Sequence, residues 1–442
     1  MQKKLESFFR FFLAAKNKDL PNKNAVYKLF VKWFEQNIDT VGTEGIFKEI
    51  VKYAEYHAIV YRKKLSEIEK ELQQPLKEFR NIASDMPAPM LLELLNMESK
   101  KIITAEQVGG VIDLTNTYLI RRALCSLDTS SITRLFPSLL KNVIEDCKGD
   151  YSNVLEIFKK NLINKNRGNA MYMPDEQQLK EAVINANMYN IRTTTRLFFD
   201  KLELHNNSAP VDLTTLSVEH LMPQTPTGEW YEELGIDEDT YQRNLHRLGN
   251  LTLATKVDNS IMKNKVWKYK NAVLAKTGHL TINQELLKID HWNINEIDKR
   301  TVDLINQINM LYPYTPSSLS MASRVDIQIT ANDIIATGHL DLDNGSVEID
   351  AGSEAVPAKH LSETQCQDDL RQELLEAEVL AETENGYKFI KPYTFYTKYV
   401  NSTALSQSAG FLLCGSRNGW DYWLDDNGKS LGENQELRKK LS

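Results

Sequence analysis

The sequence predicts a multidomain, mainly α chain: an N-terminal helical bundle, a central two-strand-and-helix (ββα) core, and a small C-terminal α+β module. Three observations predict it. The chain has 442 residues, enough for two to four domains. Apolar residues over 1–200 recur at helical spacing, and strand-like alternation is scarce there. Short alternating runs bounded by turn residues appear only in the later part of the chain.

In the first region, 1–200, Leu5, Phe8, Phe9, Phe12 and Leu13 give one apolar helical stripe. Val26, Leu29, Phe30, Trp33 and Phe34 give a second, with Asn24 as its cap. A longer helix is expected from about Glu44 to Leu72, and another around Ile132, Leu135, Leu139, Leu140, Val143 and Ile144. These aromatic stripes read as core. Arg121-Arg122 reads as a solvated or salt-bridged helix face rather than a phosphate contact. The second region, 201–312, holds β-like pieces at Ser217–Leu221 and Asn250–Ala254. A Lys-rich helix follows over Ser260–Ala275, and a closing helix over Asn295–Leu311. Residues 313–330 read as a linker opened by Pro313-Tyr-Thr-Pro-Ser-Ser. Residues 331–442 form the α+β module. Leu340 to Ile349 alternates on both sides of Asn344-Gly345, a hairpin signal. Leu370–Ala381 reads as helix, Tyr387–Ile390 and Phe411–Cys414 as strands, and Trp420 and Trp423 as core.

Composition excludes several classes. No apolar run is long enough to span a bilayer, and no secretory leader is read at the N-terminus. Cys125, Cys147, Cys366 and Cys414 form no C-x-x-C pair, which argues against a zinc ribbon and for free thiols in a reduced, cytoplasmic setting. The net charge of −7 argues against a protein that coats DNA. The acidity is local, however. Residues 331–442 carry 10 Lys and Arg against 19 Asp and Glu, whereas residues 1–330 carry 43 against 41. A nucleic-acid contact is therefore expected in the first three quarters of the chain.

Four features then fall in order: Val218-Glu219-His220-Leu221-Met222-Pro223-Gln224, Leu248-Gly249-Asn250-Leu251-Thr252-Leu253, Asn259, and Asn264-x-x-Trp267-x-x-Lys270. A ββα-metal (HNH) nuclease needs such a set. A histidine at a strand end deprotonates water. A hard divalent cation stabilises charge at the scissile phosphate. A carboxylate and a second ligand, from the following helix, hold that ion, and a polar side chain fixes the histidine ring. On this reading His220 is the base, Asn250 orients it, and Glu219 and Asn259 hold Mg²⁺ or Mn²⁺ through oxygen. Neighbouring strand residues face opposite ways, so the backbone must bend near Leu221–Pro223 for Glu219 and His220 to share a site. Lys263, Lys265 and Lys270 are candidate phosphate contacts, or equally a solvated helix face. His246 reads as a surface loop residue in preference to a second imidazole of the site.

These motifs resemble the C-terminal nuclease domain of the GmrSD-type, modification-dependent restriction endonucleases, a branch of the HNH superfamily. That branch shows Asp/Glu-His-Ile-x-Pro-Gln, Gly-Asn-Leu-x-Leu, Asn, and Asn-x-x-Phe-x-x-Lys. Here Leu221 replaces Ile and Trp267 replaces Phe, and Asn259 stands where other HNH enzymes carry His. Tyr118-Leu-Ile-Arg-Arg122 is similar to the family's helical connector, and Leu304–Pro313 to its closing segment. The tail, with Tyr393-x-Phe395, Ser402 and Gly419-Trp420-x-x-Trp423, is similar to a small accessory domain of uncharacterised role. The resemblance implies DNA cleavage in phage defence, with modified cytosine as trigger and NTP hydrolysis as regulator. The family's N-terminal nucleotide-binding domain and its Asp-Gly-Gln-Gln-Arg motif are missing, as is any G-x-x-x-x-G-K-S/T loop. The chain is thus expected to be a fragment, or half of a split system with an NTP-binding partner subunit, and to lack NTPase activity by itself. In a split system the Phe8/Phe9/Phe12 stripe would dock on that partner; in a lone chain it folds back onto the bundle. A non-cleaving DNA-binding or regulatory subunit and an RNA-cleaving toxin are the competing functions.

Overall fold

The computed structural model describes residues 2–207, 211–276, 280–319, 324–357, 365–396, 403–435 and 437–438. The chain is mainly α. Its contacts divide it into one unit of residues 1–140 and 173–315, and a second of 141–172 and 316–442. The helices are α1 (Gln2–Asn17), α2 (Val26–Tyr61), α3 (Lys70–Ile82), α4 (Ala88–Ser99), α5 (Ala105–Leu124), α6 (Leu135–Cys147), α7 (Val154–Leu162), α8 (Glu176–Val183), α9 (Arg192–Asn206), α10 (Gly228–Leu234), α11 (Glu238–Leu245), α12 (Lys256–Met262), α13 (Trp267–Lys276), α14 (Ile294–Leu311), α15 (Gln365–Glu376), α16 (Ala404–Leu413) and α17 (Gly419–Tyr422). The strands are β1 (Leu216–His220), β2 (Leu251–Thr255), β3 (Arg324–Ala331), β4 (Ile334–Asp341), β5 (Val347–Ile349), β6 (Glu354–Ala355), β7 (Leu380–Thr383), β8 (Gly386–Phe389) and β9 (Tyr393–Phe395).

In the first unit the N-terminal stripe packs inward. Phe12 is fully buried and meets Trp33 and Tyr53 edge-on at 4.9 and 5.2 Å, so Phe8, Phe12 and Tyr53 build core, whereas Phe30, Trp33 and Phe34 of the second stripe are only partly buried. The helix expected over Glu44–Leu72 is divided. α2 ends where the amides of Arg62 and Lys63 both close on the carbonyl of Ala58, and α3 starts afresh at Lys70. Arg121 and Arg122 are not a solvated face. Both are buried. Arg121 donates to the carbonyls of Pro174 (2.7 Å) and Tyr312 (2.7 Å) and to Asn309 (2.9 Å), which ties α5 to the end of α14. Such a guanidinium satisfies carbonyls that have no helical partner.

The elements around β1 and β2 are pinned from behind. Arg196 of α9 donates to the carbonyls of Leu213 and Leu216, fixing the entry to β1. Buried Glu203 accepts from the amides of Thr281 (2.9 Å) and Ile282 (3.0 Å), and Asn283 donates in turn to the carbonyl of Leu253 (2.9 Å) in β2. α14 presses on the turn Leu248–Asn250 so closely that a Cβ at Gly249 would lie 2.2 Å from the carbonyl oxygen of Ile297. Glycine is required there by space. Gly249→Ala is expected to cost about 1–3 kcal/mol through forced backbone displacement, read as a lower urea midpoint at unchanged m-value. A wild-type midpoint would contradict this packing.

In the second unit the sheets run β3-β4-β5-β9 and β6-β8-β7, all pairings antiparallel. The hairpin signal at Asn344-Gly345 is met by β4 and β5, with Gly345 at φ +69°. β3 starts at Arg324, inside the span read as linker, and residues 141–172 join this unit rather than the helices that precede them. Phe411–Cys414 is not a strand. It closes α16, which Thr403 caps and whose Ala404, Ser408, Ala409 and Gly410 let it sink between the sheets; Phe411 packs on Phe389 and Phe395. Trp423 is fully buried, as a core residue should be.

Candidate functional site

β1 and β2 pair antiparallel with Glu219 opposite Thr252 and His220 opposite Leu251. β2 runs directly into α12, where Thr255 and Asp258 cap one another: the Asp258 amide reaches Thr255 Oγ1 (3.1 Å) and that hydroxyl donates to Asp258 Oδ2 (2.7 Å). α12 packs back on both strands. The Lys-rich helix expected over Ser260–Ala275 is thus two helices. α12 stops at Lys263, whose φ of +40° no continuing helix permits, and α13 begins at Trp267.

Asn250 is fully buried in the turn before β2. Its Oδ1 accepts from the amide of Met222 (2.7 Å) and from Trp292 Nε1 (3.3 Å); its Nδ2 donates to the carbonyls of Leu245 (2.7 Å) and Met222 (3.2 Å). With its own carbonyl taking the Leu221 amide, Asn250 fixes the backbone leaving β1. It therefore acts on the chain after His220. The ring of His220 is held by other residues. His246 Nδ1 lies 3.0 Å from His220 Nε2, and Gln224 Nε2 lies 3.3 Å from His220 Nδ1. Tyr189 covers both rings, with centroids 4.6 Å from His220 and 5.6 Å from His246, nearly parallel to the latter. His246 is thus a neighbour of the site and not the surface loop residue expected. Its partner stands 26 positions away, and only the fold brings them together.

Burial, then the proximity of His246 and Lys270, pulls the His220 imidazole down to about 3 from its ordinary 6.5, so it is neutral near pH 7. The unfolded chain protonates this residue at about 6.5, so between there and about 3 it binds the extra proton. Stability rises with pH wherever the unfolded state holds more protons, so this contribution is complete above 6.5 and is lost as the pH falls, with a slope of at most about 1.4 kcal/mol per pH unit. His220→Asn should therefore lose less stability than wild type between pH 7 and pH 5 in urea unfolding. Equal losses would place a charged imidazole in the folded protein.

Glu219 is half-buried and accepts from Ser217 Oγ at 2.7 Å. Burial raises its pKa against the lowering effects of that hydrogen bond and of Lys270. No cation contacts the carboxylate among the described residues. Asn259, half-exposed on α12, has no side-chain hydrogen bond among them either. A carboxylate that makes no ion pair and an amide oxygen with no hydrogen bond among the described residues are hard donors of the kind a small divalent ion takes. Among the described residues no cluster of three His, Cys, Asp or Glu has metal-ligand geometry, so further ligands would come from substrate or water. Lys270 does not reach outward as a phosphate contact would. It is 2% exposed and donates to the carbonyl of His220 at 2.9 Å, and burial pushes its ammonium down to about 8. Lys263 and Lys265 are exposed.

Cys125, Cys147 and Cys414 are free thiols, while the side chain of Cys366 lies outside the described residues. Burial pushes Cys125 up to about 12 and Cys147 to about 11. Both should therefore resist alkylation at pH 8 in the folded protein and react fully in urea. Rapid native labelling of Cys125 would show an activated thiolate and overturn its inert role.

Residues 173–307 match the family model for GmrSD restriction endonucleases, C-terminal domain. Residues 327–435 match a domain of unknown function, DUF4357. The first match covers β1, β2, α12 and α13 entirely; the second covers most of the module that carries the two C-terminal sheets. No curated protein matches the chain. Among the described residues no helix is long and apolar enough to cross a membrane.

Proposed function

Because the chain carries a GmrSD-type C-terminal region followed by a DUF4357 domain, we propose that it is a metal-dependent DNA endonuclease of the HNH type acting in restriction. The family match supports a restriction-related nuclease. The observation that supports the finer reading is His220: a neutral imidazole at the end of β1, next to Glu219 on the same strand, with Asn259 on the α12 helix that follows the paired β2. A neutral ring has the lone pair that a general base requires. Water gives its proton to that lone pair, its oxygen attacks phosphorus, the bond to the leaving oxygen breaks, and solvent protonates the leaving oxygen. The nearby phosphodiester charge favours the imidazolium that forms, against the burial that disfavours it. Glu219 and Asn259 would hold Mg²⁺ or Mn²⁺, which when bound neutralises charge on the phosphate and the leaving oxygen. Lys263 and Lys265 are placed in solvent, where phosphate contacts must be.

A cleavage assay tests this on modified and unmodified DNA, with Mg²⁺, Mn²⁺ or EDTA, with and without an NTP-binding partner subunit. Metal-dependent strand breaks lost with EDTA are expected. Binding without cleavage would make the chain a DNA-binding or regulatory subunit, and cleavage confined to RNA would make it a toxin-like ribonuclease.

A further inference from the structure

We propose that His246 is a positioning residue that fixes the tautomer of His220 by accepting its Nε2–H, leaving Nδ1 as the lone pair that meets water. The inference rests on the nuclease reading above and adds a residue to it. Two imidazole nitrogens 3.0 Å apart share one proton, so either ring can be the donor. Gln224 points to His220 as the donor, because its amide is oriented with the nitrogen, which can only donate, 3.3 Å from His220 Nδ1. Nδ1 is then an acceptor, the His220 proton sits on Nε2, and His246 Nδ1 must accept it. The weaker, longer bond is the one to Gln224, which is exposed and free to swing away when water or a phosphate oxygen arrives. His246 is itself held in place. Its carbonyl takes the amide of Met188 at 2.9 Å, and its ring lies against Tyr189 at an interplanar angle of 14°. A histidine that acts on a proton is commonly oriented by a carboxylate or carbonyl on its second nitrogen. Among the described residues none stands there; His246 occupies that place.

The test uses the full chain. In the wild type, imidazole ¹⁵N shifts should show His220 protonated at Nε2 and bare at Nδ1; protonation at Nδ1 would overturn the proposal without any variant. His246→Phe keeps a ring against Tyr189 but removes the acceptor, while His246→Asn restores an acceptor near the same place. His246→Phe should lower kcat about 10–100-fold with KM for DNA changed less than about twofold, and His246→Asn should recover most of the loss. Wild-type kcat in His246→Phe, or no recovery in His246→Asn at equal thermal stability, would also overturn it. Failure of the nuclease reading is told apart by His220→Ala. If that variant cleaves like wild type the reading itself is wrong, whereas loss in His220→Ala beside a neutral His246→Phe removes only His246.

Discussion

His220→Ala should lower metal-dependent cleavage by roughly 10²–10⁴-fold while leaving the fold and DNA binding close to wild type. The size follows from what the ring does. It is neutral near pH 7, so it is in the form that accepts a proton, and it stands at the end of β1 next to Glu219. The fold should tolerate the change because the backbone around the ring is fixed by other groups: Asn250 holds Met222, and Lys270 holds the carbonyl of His220 itself. The ring's own contacts are with the side chains of His246, Gln224 and Tyr189, none of which depends on it for its backbone position. Removing it also removes a buried titratable group, so stability at pH 5 should suffer less than at pH 7 relative to wild type. Initial rates on DNA with Mg²⁺, together with circular dichroism and thermal unfolding, measure the effect. Wild-type turnover in the purified, folded variant would sink the assignment of His220 as base.

The parts of the fold and of the candidate site that were legible in the sequence are those carried by local pattern. β1 and β2 follow from short alternation within a residue of the expected ends, and the hairpin of β4 and β5 follows from Asn344-Gly345, whose glycine takes a positive φ. Three features were not legible, each for a physical reason. The break between α12 and α13 falls on Lys263, a residue that gives no stop signal, at φ +40°; beyond it, Lys270 of α13 reaches the carbonyl of His220 at the end of β1. α16 ends in Phe411-Leu412-Leu413, a short apolar run that period alone cannot distinguish from a buried strand. Arg121, Lys270 and His246 look like surface residues because charge or polarity usually goes outward. Each instead finds a partner distant in sequence: a carbonyl of Tyr312, the carbonyl of His220, and the His220 ring. Long-range satisfaction of buried polar groups is set by tertiary packing, which no window of sequence contains.

Asn250→Ala should cost the domain stability and activity together, and no conservative substitute should restore both. The side chain is fully buried and makes four hydrogen bonds, accepting from the Met222 amide and Trp292 Nε1 and donating to the carbonyls of Met222 and Leu245. Alanine leaves all four of those groups without a partner in a dry place. A buried polar group left unpaired costs roughly 1–3 kcal/mol, and relaxation recovers part of the sum, so a loss on the order of 3 kcal/mol or more is expected. Aspartate tests the mechanism, because it has the same shape and can accept from Met222 and Trp292, but ionised it offers no donor. It would set a negative charge against two carbonyl oxygens, so Asn250→Asp should also be destabilised at pH 7, and less so at low pH, where protonation returns one donor. The same bonds hold the backbone that leaves β1, so the position of His220 depends on them through Leu221 and Met222. Cleavage should therefore fall in both variants even at temperatures where they remain folded. Urea unfolding at pH 7 and pH 5, with cleavage rates measured well below each midpoint, separates the two effects. A folded, fully active Asn250→Asp protein with an unchanged midpoint would show that the amide is not what shapes the turn after His220.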